Sequence, residues 1–293
     1  MGKSLIKKCF TSRFDQGSIV EMDFSQLEVV GLAVLSNDQN LKDDLKNKLD
    51  LHCVNTANLY GADYSLVYAA YRSNDAIWTA RRKTTKQLSF QLQYGAGVNS
   101  MAQSTGVSKT EAQNFINVYY ERYWRVKEWQ EEVKTQVLKN AVNTNRRTKL
   151  GYPAKKSYYK LPTGRMFTFY EYDAPDFMKD KGQHTSFSPT EMKNYPVQGF
   201  STGDFMMCAM QGVLNLMLRT DFFGGRILPI STIHDSFVFD VHKDTTIDEL
   251  TQIKEVLKRT PYAMNLAYKN LDFDIEVGVD VETGHDWHSM INI

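Results

Sequence analysis

Two aspartates carry the most pointed chemistry in this chain of 293 residues. Asp23 lies in the run Val20-Glu21-Met22-Asp23-Phe24-Ser25-Gln26-Leu27-Glu28, and Asp235 in Ile233-His234-Asp235-Ser236-Phe237. Each sits where an apolar stretch gives way to a turn. Between them Arg82, Lys86, Phe90 and Tyr94 recur every four residues. At that spacing residues drift by only about 40° around a helix, so Arg82, Lys86 and Phe90 share one face, with Tyr94 at its edge. Paired carboxylates can share divalent metal ions, and two ions ~3.5–4 Å apart activate an attacking hydroxyl and neutralise the charge of a transferring phosphoryl group. A guanidinium fork and an ammonium suit a triphosphate tail, and aromatic rings suit a sugar and a base. Together the pattern predicts phosphoryl transfer onto a nucleic-acid end. Taken singly, each part has a plainer reading. Asp23 before Phe24-Ser25-Gln26 reads as a helix N-cap, Asp235 as a turn residue, and the basic row as a solvated helix face.

The elements that must position these residues follow from pattern. Ser18 to Asp23 reads as a buried strand and Gln26 to Leu35 as a helix. Asp50 to Tyr60 and Leu66 to Tyr71 read as helices, and Ser73-Asn74-Asp75 opens another that runs to Tyr94, where Gly95-Ala96-Gly97 ends it. Ser108-Lys109-Thr110-Glu111 is a capping box, and helix resumes from Tyr123 to about Val142. From Arg146 to Pro189 the pattern changes to hairpins and loops, with Asp173 to Ser188 polar and loop-like. Asn194 to Leu218 is apolar at helical spacing. Arg226 to Thr232 and Ser236 to Val241 form two strands around a tight turn holding His234 and Asp235. Ile247 to Leu257 is an amphipathic helix, and Leu271 to Val281 closes as a strand. Helical material inserted between two strand-bearing parts predicts an α+β fold.

Composition narrows the class. A net charge of +1 does not announce a nucleic-acid binder. Distribution says more, because Val133 to Tyr170 contains no Asp or Glu but carries Lys134, Lys139, Arg146, Arg147, Lys149, Lys155, Lys156, Lys160 and Arg165. Such a one-sign field suits a phosphate backbone, and equally a solvated loop face. The 3 cysteines, Cys9, Cys53 and Cys208, show no C-x-x-C spacing, which disfavours a disulfide framework or a zinc site and fits a reducing compartment. No signal peptide is visible and no apolar run is long enough to span a membrane, so a cytoplasmic location is expected.

The three segments resemble the three motifs of family A DNA polymerases, the bacterial DNA polymerase I group with its phage and mitochondrial relatives. Asp23-Phe24-Ser25-Gln26-Leu27-Glu28 looks like the first motif, the run from Arg82 to Gly95 like the fingers-helix motif, and His234-Asp235 like the third. Asp50-Leu51-His52, Asn194-Tyr195-Pro196-Val197-Gln198-Gly199 and Gly284-His285-Asp286-Trp287 are lesser matches, and the resemblance spans about residues 5 to 288. It implies the following roles. Asp23, Asp235 and the backbone carbonyl of Phe24 hold two Mg2+ ions, with Mn2+ as a substitute. Phe24, Ser25 and Gln26 line the dNTP site, and Glu28 blocks a ribose 2′-hydroxyl. Arg82, Lys86 and His52 grip the triphosphate, and Lys86 protonates the pyrophosphate. Phe90 packs under the sugar and Tyr94 stacks near the templating position. Asn194 and Gln198 read the minor groove, and His234 touches the primer end. The basic Arg146, Arg147 and Lys149 are candidate DNA contacts on charge grounds.

The implied architecture is a palm with an antiparallel sheet and inserted helical fingers, a right-hand polymerase fold lacking its thumb. Palm is expected over 1–47 and 146–293, fingers over 48–145, and a basic and aromatic insert at about 146–190. The implied activity is template-directed DNA synthesis on primer-template DNA, as half of a split polymerase or a fragment, with a separate N-terminal polypeptide bearing the thumb as partner. An exposed apolar patch or sheet edge is therefore expected. Two other readings stand beside it. One is a non-catalytic nucleic-acid-binding or assembly subunit that keeps the fold. The other is a single-subunit RNA polymerase-like activity, because Ser236 replaces the usual glutamate of the third motif, although Glu28 and Phe90 argue against it. Val30, Gln91 and Thr190 also depart from the usual arginine, glycine and arginine.

Overall fold

The computed structural model describes residues 5–293 and is mixed helix and antiparallel sheet. It forms two compact units, one of residues up to Gly31 with Gly199–Ile293, the other of Leu32–Gln198.

The chain enters the first unit through a 3-10 turn, Leu5–Cys9, then strand β1 (Ser18–Phe24) and helix α1 (Leu27–Ser36), which runs on into the second unit. The second unit continues with α2 (Gln39–Lys46), α3 (Leu51–Tyr60), α4 (Tyr64–Arg72), α5 (Ala76–Gln93), α6 (Val98–Thr105), α7 (Lys109–Arg122) and α8 (Trp124–Lys139). Asp38, Asp50, Asp63 and Asp75 each accept backbone N–H groups at the start of α2 to α5, which satisfies donors a helix leaves orphaned. Ser108 and Glu111 complete the expected capping box of α7. A four-stranded sheet in the order β2-β3-β4-β5 follows, made of β2 (Val142–Arg147), β3 (Pro153–Lys160), β4 (Met166–Asp173) and β5 (Thr185–Phe187), with the short helix α9 (Asp176–Lys179) between the last two. It packs on α8, where the Ser157 hydroxyl donates to the Val137 carbonyl at 2.5 Å. Helix α10 (Pro189–Gln198) ends this unit.

The first unit resumes with a π-helical stretch, Gly199–Phe205, and α11 (Met206–Arg219). After the left-handed turn α12 (Asp221–Gly225) come β6 (Ile227–Ile233), β7 (Ser236–Val241), α13 (Ile247–Lys258), α14 (Thr260–Ala267), β8 (Val279–Gly284) and β9 (Ile291–Asn292). Its five-stranded sheet has the order β6-β7-β1-β8-β9 with every pairing antiparallel. Val20, Met22 and Phe24 point to one face of β1 and are buried. Phe24 meets Phe205 edge-on at 4.9 Å and Phe237 at 6.4 Å. Glu21 and Asp23 therefore point to the other face.

Three expectations need correction. Leu271, Phe273, Ile275 and Val277 alternate buried with exposed, yet strand pairing starts only at Val279. A period of two reports a face to bury, not a ladder; here the Asn265 side chain, not a strand, bonds the N–H and C=O of Phe273 at 2.8 and 3.0 Å. Asp173 to Ser188 is not all loop, because it holds α9 and β5. Helix α8 stops at Lys139, and Val142 already belongs to β2. An exposed edge is present: β6 borders the larger sheet with Ile230 49% exposed, and α11 carries exposed Met207, Leu214 and Leu218.

Helix α1 approaches the π-helical stretch through Gly31, where an added Cβ would lie 2.0 Å from the buried Ser201 hydroxyl and 3.3 Å from Phe200. Gly31→Ala should therefore destabilise the chain by ~1–3 kcal/mol as overpacking. In a Ser201→Ala background the same change should cost less, which denaturant titration of the two single variants and the double variant will measure.

Candidate active site

The first unit brings Asp23 and Asp235 together by register. Asp23 of β1 lies opposite Ser236 of β7, one residue after Asp235, and the Phe24 N–H donates to the Asp235 carbonyl at 3.0 Å. The β6–β7 turn that presents Asp235 is tight, with His234 at φ 54°. Asp23 is not a helix cap, because it belongs to the strand and α1 starts four residues on. Gln26 makes that junction at φ 54°, its carbonyl accepting from Val29 and Val30. Ser25 is pinned by its hydroxyl to Asp280 at 2.9 Å. Glu28 is half-buried in the first turn of α1.

The electrostatics of this face are unusual. Burial, then the Asp235 charge, then Glu21, Asp280 and Glu282, push the Asp23 carboxyl up to about 7. Burial also raises Asp235, while a hydrogen bond from Asp23 works the other way. Two neighbouring acids raised in this way titrate as a coupled pair. Glu21, Asp280 and Glu282 join the site without having been expected there. Alternation shows that Glu21 shares a face with Asp23, but only the β1–β8 register sets Asp280 opposite Asp23 and Glu282 opposite Glu21.

Glu21 has its own brace. It accepts the Ser236 hydroxyl at 2.9 Å and the Trp287 indole N–H at 2.8 Å. Trp287 is fixed edge-on against Phe10 at 5.5 Å, with the Lys7 ammonium 4.1 Å above its ring. Ser236 is therefore a structural donor to a carboxylate on the neighbouring strand.

Among the described residues no three His, Cys, Asp or Glu side chains converge in metal-ligating geometry. The donor set that fits a cation is two carboxylates with a main-chain carbonyl, a set of hard oxygen ligands that suits Mg2+, which keeps several waters. The Asp23 and Asp235 carboxyls are hard oxygen donors on adjoining segments, a set that would fit such an ion.

The second unit collects the basic row. Arg82, Lys86 and Phe90 lie on α5 as expected, and Tyr94 caps it with its ring 43% exposed. Asp50, the N-cap of α3, takes the Arg82 guanidinium at 2.6 Å, and Arg82 also stacks over Tyr71 at 4.1 Å. That pairing, outweighing burial, leaves Asp50 below the usual carboxylate range. His52 meets Phe90 at 5.4 Å, and Lys86 lies 5.5 Å over the Phe90 ring. Burial, then the Arg82 charge, lowers His52 to about 4, so its imidazole is neutral at pH 7. The Nδ1 of His52 and Nε of Arg82 are buried without a hydrogen-bond partner. Four expected residues are thus brought together, and Asp50 joins them as the group that orders both Arg82 and His52. Its signal in the sequence is the helix-start position just before His52.

The DNA-contact candidates are more scattered. Asn194 is half-buried in α10 and Gln198 is exposed at its end. Arg146 is exposed with its guanidinium 4.5 Å over Tyr170, Arg147 closes its hairpin by donating to the Gly151 carbonyl at 2.6 Å, and Lys149 is exposed in that turn.

The family described as DNA polymerase family A matches residues 2–289. The chain belongs to DNA polymerase family A. It is 25% identical to DNA polymerase I of Lactococcus lactis over 97% of its own length and 27% of that protein's. It is 26% identical to the thermostable DNA polymerase I of Thermus filiformis over 96% of its own length and 28% of that protein's. The chain thus spans about a quarter of the length of the curated relatives it matches. Among solved structures it resembles the POL domain of Pol1 from M. smegmatis, in complex with DNA primer-template and dNTP. The TM-score is 0.66 at 21% identity, covering 97% of this chain and 42% of that one. That likeness shows the shared fold. No helix among the described residues is long and apolar enough to cross a membrane.

The raised Asp23 carboxyl predicts a sign for stability against pH. The folded chain holds a proton up to about pH 7 that the unfolded chain releases near the ordinary aspartate value of 3.8. The stabilisation is full below about pH 4 and is lost as pH rises through 7. Asp23→Asn should raise the melting temperature of the metal-free chain at pH 8 and leave it little changed at pH 4, as read by calorimetry.

Proposed function

We propose that the chain carries out template-directed DNA synthesis, the attack of a primer 3′-hydroxyl on the α-phosphate of a dNTP with release of pyrophosphate. The observation that carries this reading is the Asp23–Asp235 pair in a family A polymerase chain, two carboxyl groups brought together by the pairing of β1 with the β6–β7 hairpin and both pushed up by burial.

Asp23, Asp235 and the Phe24 carbonyl are the residues that would hold two Mg2+ ions. When bound, such ions lower the pKa of the attacking hydroxyl and neutralise the charge that builds on the phosphoryl oxygens. Arg82 binds the triphosphate as a fork, its position set by Asp50. His52, neutral at pH 7, can donate one N–H to a phosphate oxygen without adding charge. Lys86 adds a point charge and is the proton source for the leaving pyrophosphate. Phe90 offers its ring to the sugar and Tyr94 to the templating base. Ser25, Gln26 and Glu28 flank the nucleotide, and the Glu28 side chain excludes a 2′-hydroxyl. Asn194 and Gln198 read the minor groove, His234 touches the primer end, and Arg146, Arg147 and Lys149 approach the DNA backbone. In this reading 1–47 and 146–293 belong to the palm and 48–145 to the fingers.

Asp23→Ala and Asp235→Ala should each abolish dNTP incorporation in a primer-extension assay, run with the chain alone and with any companion polypeptide, while circular dichroism stays unchanged. Normal extension by either variant would remove the carboxylate centre.

Glu28→Ala should relax sugar selection, read as the ratio of rNTP to dNTP incorporation. An unchanged ratio would remove its steric role.

A further inference from the structure

We propose that the outward face of the four-stranded sheet β2–β5 is a stacking platform for single-stranded nucleic acid. The inference rests on reading the chain as a nucleic-acid enzyme, but on none of the carboxylate chemistry.

The sheet has two unlike faces. Residues at one set of alternate positions, Ser157, Tyr159 and Phe169, are buried. The other set is Lys156, Tyr158 and Lys160 on β3 with Met166, Thr168, Tyr170 and Tyr172 on β4, Met166 lying at the end of the face opposite Lys160. Tyr158 and Tyr172 are each 46% exposed, and Lys156, Lys160 and Thr168 are exposed beside them. Register places Lys156 opposite Tyr170 and Tyr158 opposite Thr168. Tyr158 and Tyr170 are therefore diagonal neighbours, roughly 7–8 Å apart along the face. Arg146 of β2 reaches across the sheet to stack over Tyr170 at 4.5 Å.

Charge selects the occupant. Arg146, Lys156 and Lys160 lie on this face, and the outward positions of β3 and β4 hold no carboxylate. The two acids of β4 point the other way and are consumed inside the fold. Glu171 accepts from the Lys155 N–H at 2.9 Å and the Thr185 hydroxyl at 3.0 Å, and Asp173 accepts from Thr148 and the Leu150 N–H. At the rim Glu191 accepts the Tyr172 hydroxyl at 2.8 Å. A protein partner would call for an apolar centre with charge at its edge. Here tyrosines and cations interleave across the middle, the composition that holds unpaired bases by their faces and a backbone by its phosphates. Duplex DNA has its base faces already stacked, so the rings favour the single strand, such as an unpaired template.

The test is fluorescence anisotropy of the full chain with a labelled single-stranded oligonucleotide and, in parallel, a blunt duplex of the same sequence. Tyr158→Ala and Tyr170→Ala should each weaken single-strand binding roughly tenfold and leave duplex binding unchanged. Tyr158→Phe and Tyr170→Phe keep the ring and should bind as the parent does, which separates stacking from a folding defect. Lys156→Gln with Lys160→Gln should flatten the salt dependence, the log–log slope falling by roughly 0.7 for each phosphate no longer neutralised. The readout is binding without metal or dNTP, so failure of the carboxylate reading leaves this inference standing. Three results would overturn it: undiminished single-strand binding by both alanine variants, equal weakening on single strand and duplex, or no single-strand binding by the parent chain.

Discussion

The first unit is organised around repulsion that its sheet cannot avoid. Antiparallel pairing of β1 with β7 and β8 puts Glu21, Asp23, Asp280 and Glu282 on one face, and the β6–β7 turn adds Asp235 beside them. Like charges opposite one another on a sheet destabilise it. The opposite face compensates, because Val20, Met22, Phe24, Phe237, Phe239, Val279 and Val281 are all buried. The strands that gather the carboxylates are the strands that carry the core. Burial and its acidic neighbours push one of those acids, Asp23, up to about 7, and another is held by two neutral donors, Ser236 and Trp287. The chain thus folds around a concentration of negative potential.

The second unit solves the converse problem. Arg82, Lys86 and His52 crowd positive and potentially positive groups near Phe90, and the unit tolerates them by unequal means. Asp50 neutralises Arg82 directly, and the depressed His52 is kept from charging at all. Unpartnered Nδ1 of His52 and Nε of Arg82 are polar atoms that burial alone does not repay.

What could be seen in the sequence follows from the range over which each interaction acts. The row on α5 and the capping box at Ser108 are local, set within one or two turns, and both stand as spacing implied. The hairpin around His234 and Asp235 is local too, and its strands lie within a residue or two of the expected limits. The brace on Glu21 joins residues more than two hundred positions apart, and no periodicity encodes it. The segment from Leu271 to Val277 shows the limit from the other side. Its alternation is real and is used for burial, but the hydrogen-bond partner is the Asn265 amide, which no strand pattern announces.

The Ser236 position joins these points. Read along the chain, a serine after His234-Asp235 looks like the loss of a carboxylate and draws the reading toward another class of polymerase. Across the strands, the hydroxyl of Ser236 donates to Glu21, which lies two residues before Asp23 on the same face of β1. Negative charge beside the Asp23–Asp235 pair is therefore retained, supplied from β1 rather than β7, and Glu21 adds to the potential that raises Asp23. A substitution that weakens a motif in one dimension can leave the field at the site intact when a neighbouring strand carries the charge.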